Sequence, residues 1–121
     1  MAGIFKTRYF ARWARKAGLP DDVLCTAVEE MRQGLVDADL GGNVYKKRVP
    51  MPGRGKSGGA RTLLATNRHD RWFFVFGFPK NERGNITSLE LQSLQMLAED
   101  LLGQSDAALG AMTRAGQLEV I

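Results

Sequence analysis

Residues 53–61 join four glycines, Gly53, Gly55, Gly58 and Gly59, to three cations, Arg54, Lys56 and Arg61, with no acid among them. Glycine lets the backbone take positive φ and come close to a ligand, while lysine and arginine add fixed charge and hydrogen-bond donors. The chemistry this combination suits is the holding of phosphate oxygens. Gly55-Lys56-Ser57 imitates the end of a nucleotide-binding P-loop. That motif needs a further glycine where this chain has Pro50, and a buried parallel strand where residues 44–50 carry Lys46, Lys47 and Arg48. Nucleoside triphosphate hydrolysis is therefore excluded. Other chemically active side chains are scarce, with one histidine, His69, and one cysteine, Cys25. That is too few for a zinc site or an intramolecular disulfide. His69 reads as a solvated turn residue, and Cys25, which has no basic neighbour to lower its pKa, as a small packing residue.

The formal charge of +4 is unevenly spread. Residues 1–16 hold Lys6, Arg8, Arg12, Arg15 and Lys16 without an acid, residues 17–42 hold six acids against Arg32, and residues 43–61 are again purely basic. A segregated basic surface concentrates polyanions, and binding to it weakens steeply with salt. Arg8, Arg12, Lys46, Lys47, Arg48 and Arg54 are its candidate contacts. The 121 residues, 44% hydrophobic and 25% charged, suit one domain spanning 1–121, with 105–121 as a C-terminal extension. The chain has no signal peptide or long apolar span, which points to a cytoplasmic protein without a membrane partner.

These side chains must be positioned by regular elements. Residues 4–6 suit a short strand, and Thr7 caps a helix that Gly18 ends. This helix has an apolar face of Phe10, Trp13, Ala14 and Ala17 and a basic stripe of Arg8, Arg12, Arg15 and Lys16. Leu19-Pro20-Asp21-Asp22 opens a second helix, with proline in its first turn and a core stripe of Leu24, Ala27, Val28, Met31 and Leu35. A loop at 37–43 leads to a cationic strand at 43–49 that Pro50 and Pro52 bar from a central place. Alternation puts Lys46 and Arg48 on one face and Lys47 on the other. After the glycine-rich loop, a strand at 61–66, a turn at 67–70 and an aromatic strand at 71–78 form a hairpin, with the last strand central. Thr87-Ser88-Leu89-Glu90 is a capping box opening a helix along Leu91, Leu94, Leu97, Ala98 and Leu101. Ser105 caps a further short helix, and residues 117–121 form a short strand or an extended tail. This order describes an α+β fold with antiparallel pairing.

The chain resembles the RelE/ParE superfamily of bacterial toxins, in particular its HigB-like RelE branch. The resemblance spans most of the chain and rests on motif order: Phe5-Lys6-Thr7 with Phe10-Ala11-Arg12-Trp13, residues 34–42, Lys46-Lys47-Arg48, residues 55–61 and residues 76–86. It implies a small antiparallel sheet packed against two N-terminal helices, with one or two C-terminal helices. It also implies a toxin of a type II toxin–antitoxin system, a metal-independent endoribonuclease (mRNA interferase) that needs no cofactor. Such a toxin engages messenger RNA in the ribosome, inhibits translation and arrests growth, and its antitoxin carries a HigA-like helix-turn-helix. By the same resemblance Arg61 and Lys56 hold the phosphate, with Lys80 and Arg83 as the cations that follow the aromatic strand. The family's C-terminal catalytic tyrosine has no counterpart, the only tyrosines being Tyr9 and Tyr45. Two other readings share the fold: a ParE-like toxin that binds DNA gyrase, and a non-catalytic RNA-binding module.

Overall fold

The aromatic strand is apolar on consecutive residues, a pattern that demands cover on both faces. A computed structural model of the chain describes residues 3–51 and 55–121, with 55–57 given by their backbone, and supplies that cover. In chain order the elements are β1 (Gly3–Thr7), α1 (Arg8–Ala17), α2 (Asp21–Arg32), β2 (Ala38–Asp39), β3 (Val44–Met51), β4 (Gly55–Thr66), β5 (Arg71–Pro79), α3 (Ser88–Leu102), α4 (Asp106–Arg114) and β6 (Leu118–Val120). The strands form one sheet in the order β2-β3-β4-β5-β1-β6. On one face α1 and α2 bring Phe10, Ala14, Leu24, Val28 and Met31 against Val49, Ala60, Leu64, Trp72 and Phe74. On the other, α3 and α4 bring Leu94, Ala98, Leu101 and Leu109 against Phe5, Leu63, Phe73, Val75 and Phe78. The fold is α+β, as expected, but the sheet is mixed. β1 runs parallel to β5, because the β3-β4-β5 meander begins after the helices and its third strand returns in the direction of β1.

The helix ends follow side-chain chemistry. Thr7 accepts a hydrogen bond from the Phe10 N–H, and Gly18 ends α1 at φ 72°. Thr87 and Glu90 close a complete capping box on α3, and Ser105 accepts from Ala108 N at the start of α4. Pro20 is the N-cap of α2, one place earlier than expected. Two residues expected in the core are outside it: α2 stops at Arg32 and leaves Leu35 56% exposed, and Cys25 lies on the solvent side of α2. Residues 37–43, expected as a loop, contain β2, and the C-terminal residues form β6 against β1, with Ile121 N donating to Ile4 O. The larger correction concerns the glycine-rich stretch. From Gly55 onward it is strand, paired with β3 as far as Met51, with a register shift at Pro50 where the ladder tolerates a residue lacking an N–H.

One feature of the topology positions the site. β1 pairs with β5 only as far as Phe74, and β2 pairs with β3 only at Tyr45 and Lys46, so the later halves of β3 and β5 run on beyond their outer neighbours. A bulge adds to this, since the register against β4 jumps from Leu64 opposite Phe74 to Leu63 opposite Phe76, leaving Val75 as the extra residue. A bulge shifts the alternation by one residue. Phe76 and Phe78 thereby share the α3 face with Leu63 and Arg61.

Candidate functional site

The protruding part of the sheet carries a cross-strand row of Arg48, Arg61 and Phe78, each directly opposite the next. Like charges placed opposite one another destabilise a sheet, so this row is kept at some expense to stability. Arg61 is 8% exposed, and its Nη1 is buried with no hydrogen-bond partner among the described residues. A buried, unsatisfied guanidinium nitrogen is costly unless an anion completes it. The other such side-chain atom, Trp72 Nε1, belongs to the core under α1 and α2, on the opposite face.

Arg48 is treated differently. Its backbone N–H and its Nε donate to the two Asp37 carboxylate oxygens at 2.6 and 2.9 Å. Burial pushes the Asp37 carboxyl up, but the two bonds from Arg48 and the charge of Lys47 outweigh it and hold the group below the ordinary range. Lys46, two residues before Arg48, is half-buried on the same face. Lys80 is exposed at the end of β5, its backbone N–H donating to Gly59 O at 3.0 Å, which ties it to the glycine-rich part of β4. Lys56 lies on β4 by its backbone, and its side chain is outside the described residues, as is all of Arg54.

Arg83 completes the group from above. Its guanidinium carbon is 4.9 Å from the ring centre of Phe78 and 5.3 Å from that of Phe76, so it stands over the aromatic neighbours of Arg61. Both of its terminal nitrogens donate to Glu90, at 2.9 and 3.0 Å, and Thr87 N donates to the same carboxylate at 2.8 Å. Arg83 first, and then the Thr87 N–H, draw the Glu90 pKa down to about 2, while Glu90 raises that of Arg83. Glu90 is thus both the capping residue of α3 and the clamp that orients Arg83.

Three of the expected polyanion contacts stand apart from this row or are otherwise engaged. Lys47 points to the α2 face, 4% exposed, with Nζ 2.9 Å from Glu30 and 3.0 Å from Leu35 O, so it ties α2 to β3 and does not face solvent. Arg8 bonds the carbonyls of Ala115 and Gly116 beyond α4, a use of cations that favours helix C-termini. Arg12 is exposed on α1. His69 lies in the β4–β5 turn, about 17 Å or more along the strand from Arg61.

The sequence did not single out Asp37, Glu90, Phe76 and Tyr9 for this site. Glu90 was visible only as a capping residue. Tyr9 stacks on Phe76 at 5.8 Å and 10° because β1 ends early and α1 begins beside the free edge of β5. No spacing in the chain signals that contact.

The family model for the RelE toxin of the RelE / RelB toxin–antitoxin system matches residues 2–121. The chain belongs to that family and is the toxin of a toxin–antitoxin system, with an antitoxin as its partner. No curated protein matches it.

Proposed function

We propose that this RelE-family toxin is a ribosome-dependent endoribonuclease that cuts messenger RNA at a phosphodiester held by Arg61. The observation that carries the reading is the buried Arg61 guanidinium with an unpartnered Nη1, set between Arg48 and Phe78 with Arg83 over the aromatic side. In the reaction, a ribose 2′-oxygen attacks the adjacent phosphorus and the bond to the 5′-oxygen breaks, leaving a 2′,3′-cyclic phosphate. The 2′-hydroxyl proton leaves to a base, and the departing 5′-oxygen takes up a proton. Negative charge builds on the phosphoryl oxygens, and preorganised cations stabilise it. Arg61 and Arg48 would face those oxygens from the sheet, with Lys80 and Arg83 around them and Lys46 on the approaching backbone, while Lys56 keeps the phosphate-holding role that the family resemblance implies.

Glu90 is a poor general base, because its pKa of about 2 and its bonds to Arg83 and Thr87 leave it little affinity for a proton. The ribosome, which the family resemblance implies, would take over part of that task. A message held in an in-line geometry needs less from side-chain proton transfer, since orientation alone lowers the barrier by several kcal/mol, on the order of 7 in favourable cases. The low proton affinity of Glu90, and of Asp37 beside Arg48, favours one second reading, a toxin that occupies the message without cutting it. The partner in either case is an antitoxin of the HigA-like, helix-turn-helix kind, and the setting is the cytoplasm.

Inducing the protein in bacteria and mapping message ends separates the readings. Cleavage within translated codons, lost in Arg61→Ala while antitoxin binding persists, is the expected result. Intact messages during growth arrest would remove the nuclease reading, and undiminished cleavage by Arg61→Ala would remove Arg61 from the site.

A further inference from the structure

Tyr9 is the one aromatic among the exposed large hydrophobic residues of the described surface, at 62% exposure. It does not pack into either core. Its ring lies parallel to Phe76, which is half-buried and tilts onto Phe78 at 6.2 Å, and Arg83 covers both phenylalanines. An aromatic ladder therefore runs from a solvent-facing ring to the cross-strand neighbour of Arg61. A parallel-stacked ring that is mostly exposed has one face on the protein and one face open. Beside it an open, mainly apolar groove of about 460 Å³ lies between Tyr9, Phe76, Leu94, Leu97 and Met112.

We infer that Tyr9, backed by Phe76, is a stacking platform for a nucleobase of the RNA whose phosphate Arg61 holds. This rests on the RNA reading above and adds to it a binding subsite on α1. Single-stranded RNA is held by pairing cations on its backbone with aromatic faces under its bases. The site has both in sequence along one surface: guanidinium at Arg61, guanidinium over aromatics at Arg83, then an open ring at Tyr9. The platform recognises a flat π-face, so it tolerates different bases and tightens binding near the cut without reading it. Tyr9 is then a positioning residue, and its hydroxyl is not needed.

The test is the affinity of the purified full-length protein for ribosomes programmed with a message 2′-O-methylated in the decoding-site codon, which is bound but not cut. Tyr9→Ala is expected to weaken binding about tenfold, the usual scale for loss of one base–aromatic stack, and Tyr9→Phe to bind as the parent does. An abasic residue placed at successive message positions is expected to weaken the parent at one position and to have no further effect there in Tyr9→Ala. Parent-like binding by Tyr9→Ala overturns the inference, and so does equal weakening by Tyr9→Phe and Tyr9→Ala, which would assign the role to the hydroxyl. Arg61→Ala keeps the two proposals apart: if it weakens binding and Tyr9→Ala does not, the RNA reading stands and the platform falls. If the parent does not bind programmed ribosomes, both fall. A circular-dichroism melt of each variant reports its folding, and the exposure of Tyr9 makes parent-like stability the expected outcome.

Discussion

If Arg61 holds the scissile phosphate as proposed, stability and function are in opposition at a single side chain. Replacing a buried, unsatisfied polar group by an apolar one of similar reach relieves its desolvation cost, on the order of 1–3 kcal/mol. Arg61→Met is therefore expected to raise the urea midpoint of the free protein while eliminating message cleavage. A variant that lost both stability and activity would show that Arg61 is a structural residue. Glu90 lies on the other side of the same balance. Its folded pKa is depressed from 4.5 to about 2, so its contribution to stability is full above the unfolded value and is lost as pH falls through about 2. Glu90→Gln preserves the capping geometry but removes the charge, so its midpoint should lie below the parent's near pH 6 and converge on it toward pH 2. A constant gap across that range would refute the ionic assignment. Residues 53–61 were legible as a phosphate-holding stretch from their cations and glycines, and the role of Arg61 within it came from the family resemblance. That Lys47 would face away from Arg61 was not legible, since alternation fixes relative faces and only the packing of α2 decides which face is inside.

Among the elements, β5 and α1 show how a small residue sets the contact of Tyr9 with Phe76. A Cβ built on Gly77 would lie 2.4 Å from Trp13 Cζ3, so the glycine is what lets α1 lie against the strand where Tyr9 reaches Phe76. Gly77→Ala is expected to lower stability by about 1–3 kcal/mol through overpacking and, by pushing α1 outward, to weaken RNA binding as Tyr9→Ala does. Thermal melts beside the programmed-ribosome assay check this, and an unshifted melting temperature would contradict it. The elements whose ends are marked by caps, α1, α3 and α4, were readable in the chain because capping is a local hydrogen-bonding rule. From Gly55 onward the glycine-rich stretch, expected as a loop, is strand. Glycine's low strand propensity is overridden by the pairs that flank the stretch, Gly55 with Met51 and Ala60 with Val49, partners that propensity does not see. The bulge at Val75 was equally hidden, because it arises from matching two strands and neither alone encodes it.

At the scale of the whole molecule, the formal charge of +4 overstates neither end of the protein but misplaces its cations. Lys6 is paired with Asp21 and Glu119, Arg15 with Glu119, and Arg8 with carbonyls after α4, so much of the N-terminal basic run holds the fold together. On the RNA reading, the protruding sheet is the main polyanion surface, although Arg12 and Lys16 stay exposed on α1. Salt titrations of RNA binding should reflect this: the log–log slope should fall by about 0.7 in Lys46→Gln, one phosphate contact on a single strand, and stay unchanged in Arg15→Gln. The opposite pattern would move the interface to α1. This division of charges could not be read from the chain, since partners far apart in sequence decide which cations remain free. The position of β1 between β5 and β6 has a temporal consequence. β1 (Gly3–Thr7) pairs with β5 (Arg71–Pro79) on one side and with β6 (Leu118–Val120) on the other, so both of its pairings join segments far apart in the chain. High separation between paired segments slows folding. The contact of Tyr9 with Phe76 depends on β1 being seated on β5, so the stacked ring pair is expected to form late in folding.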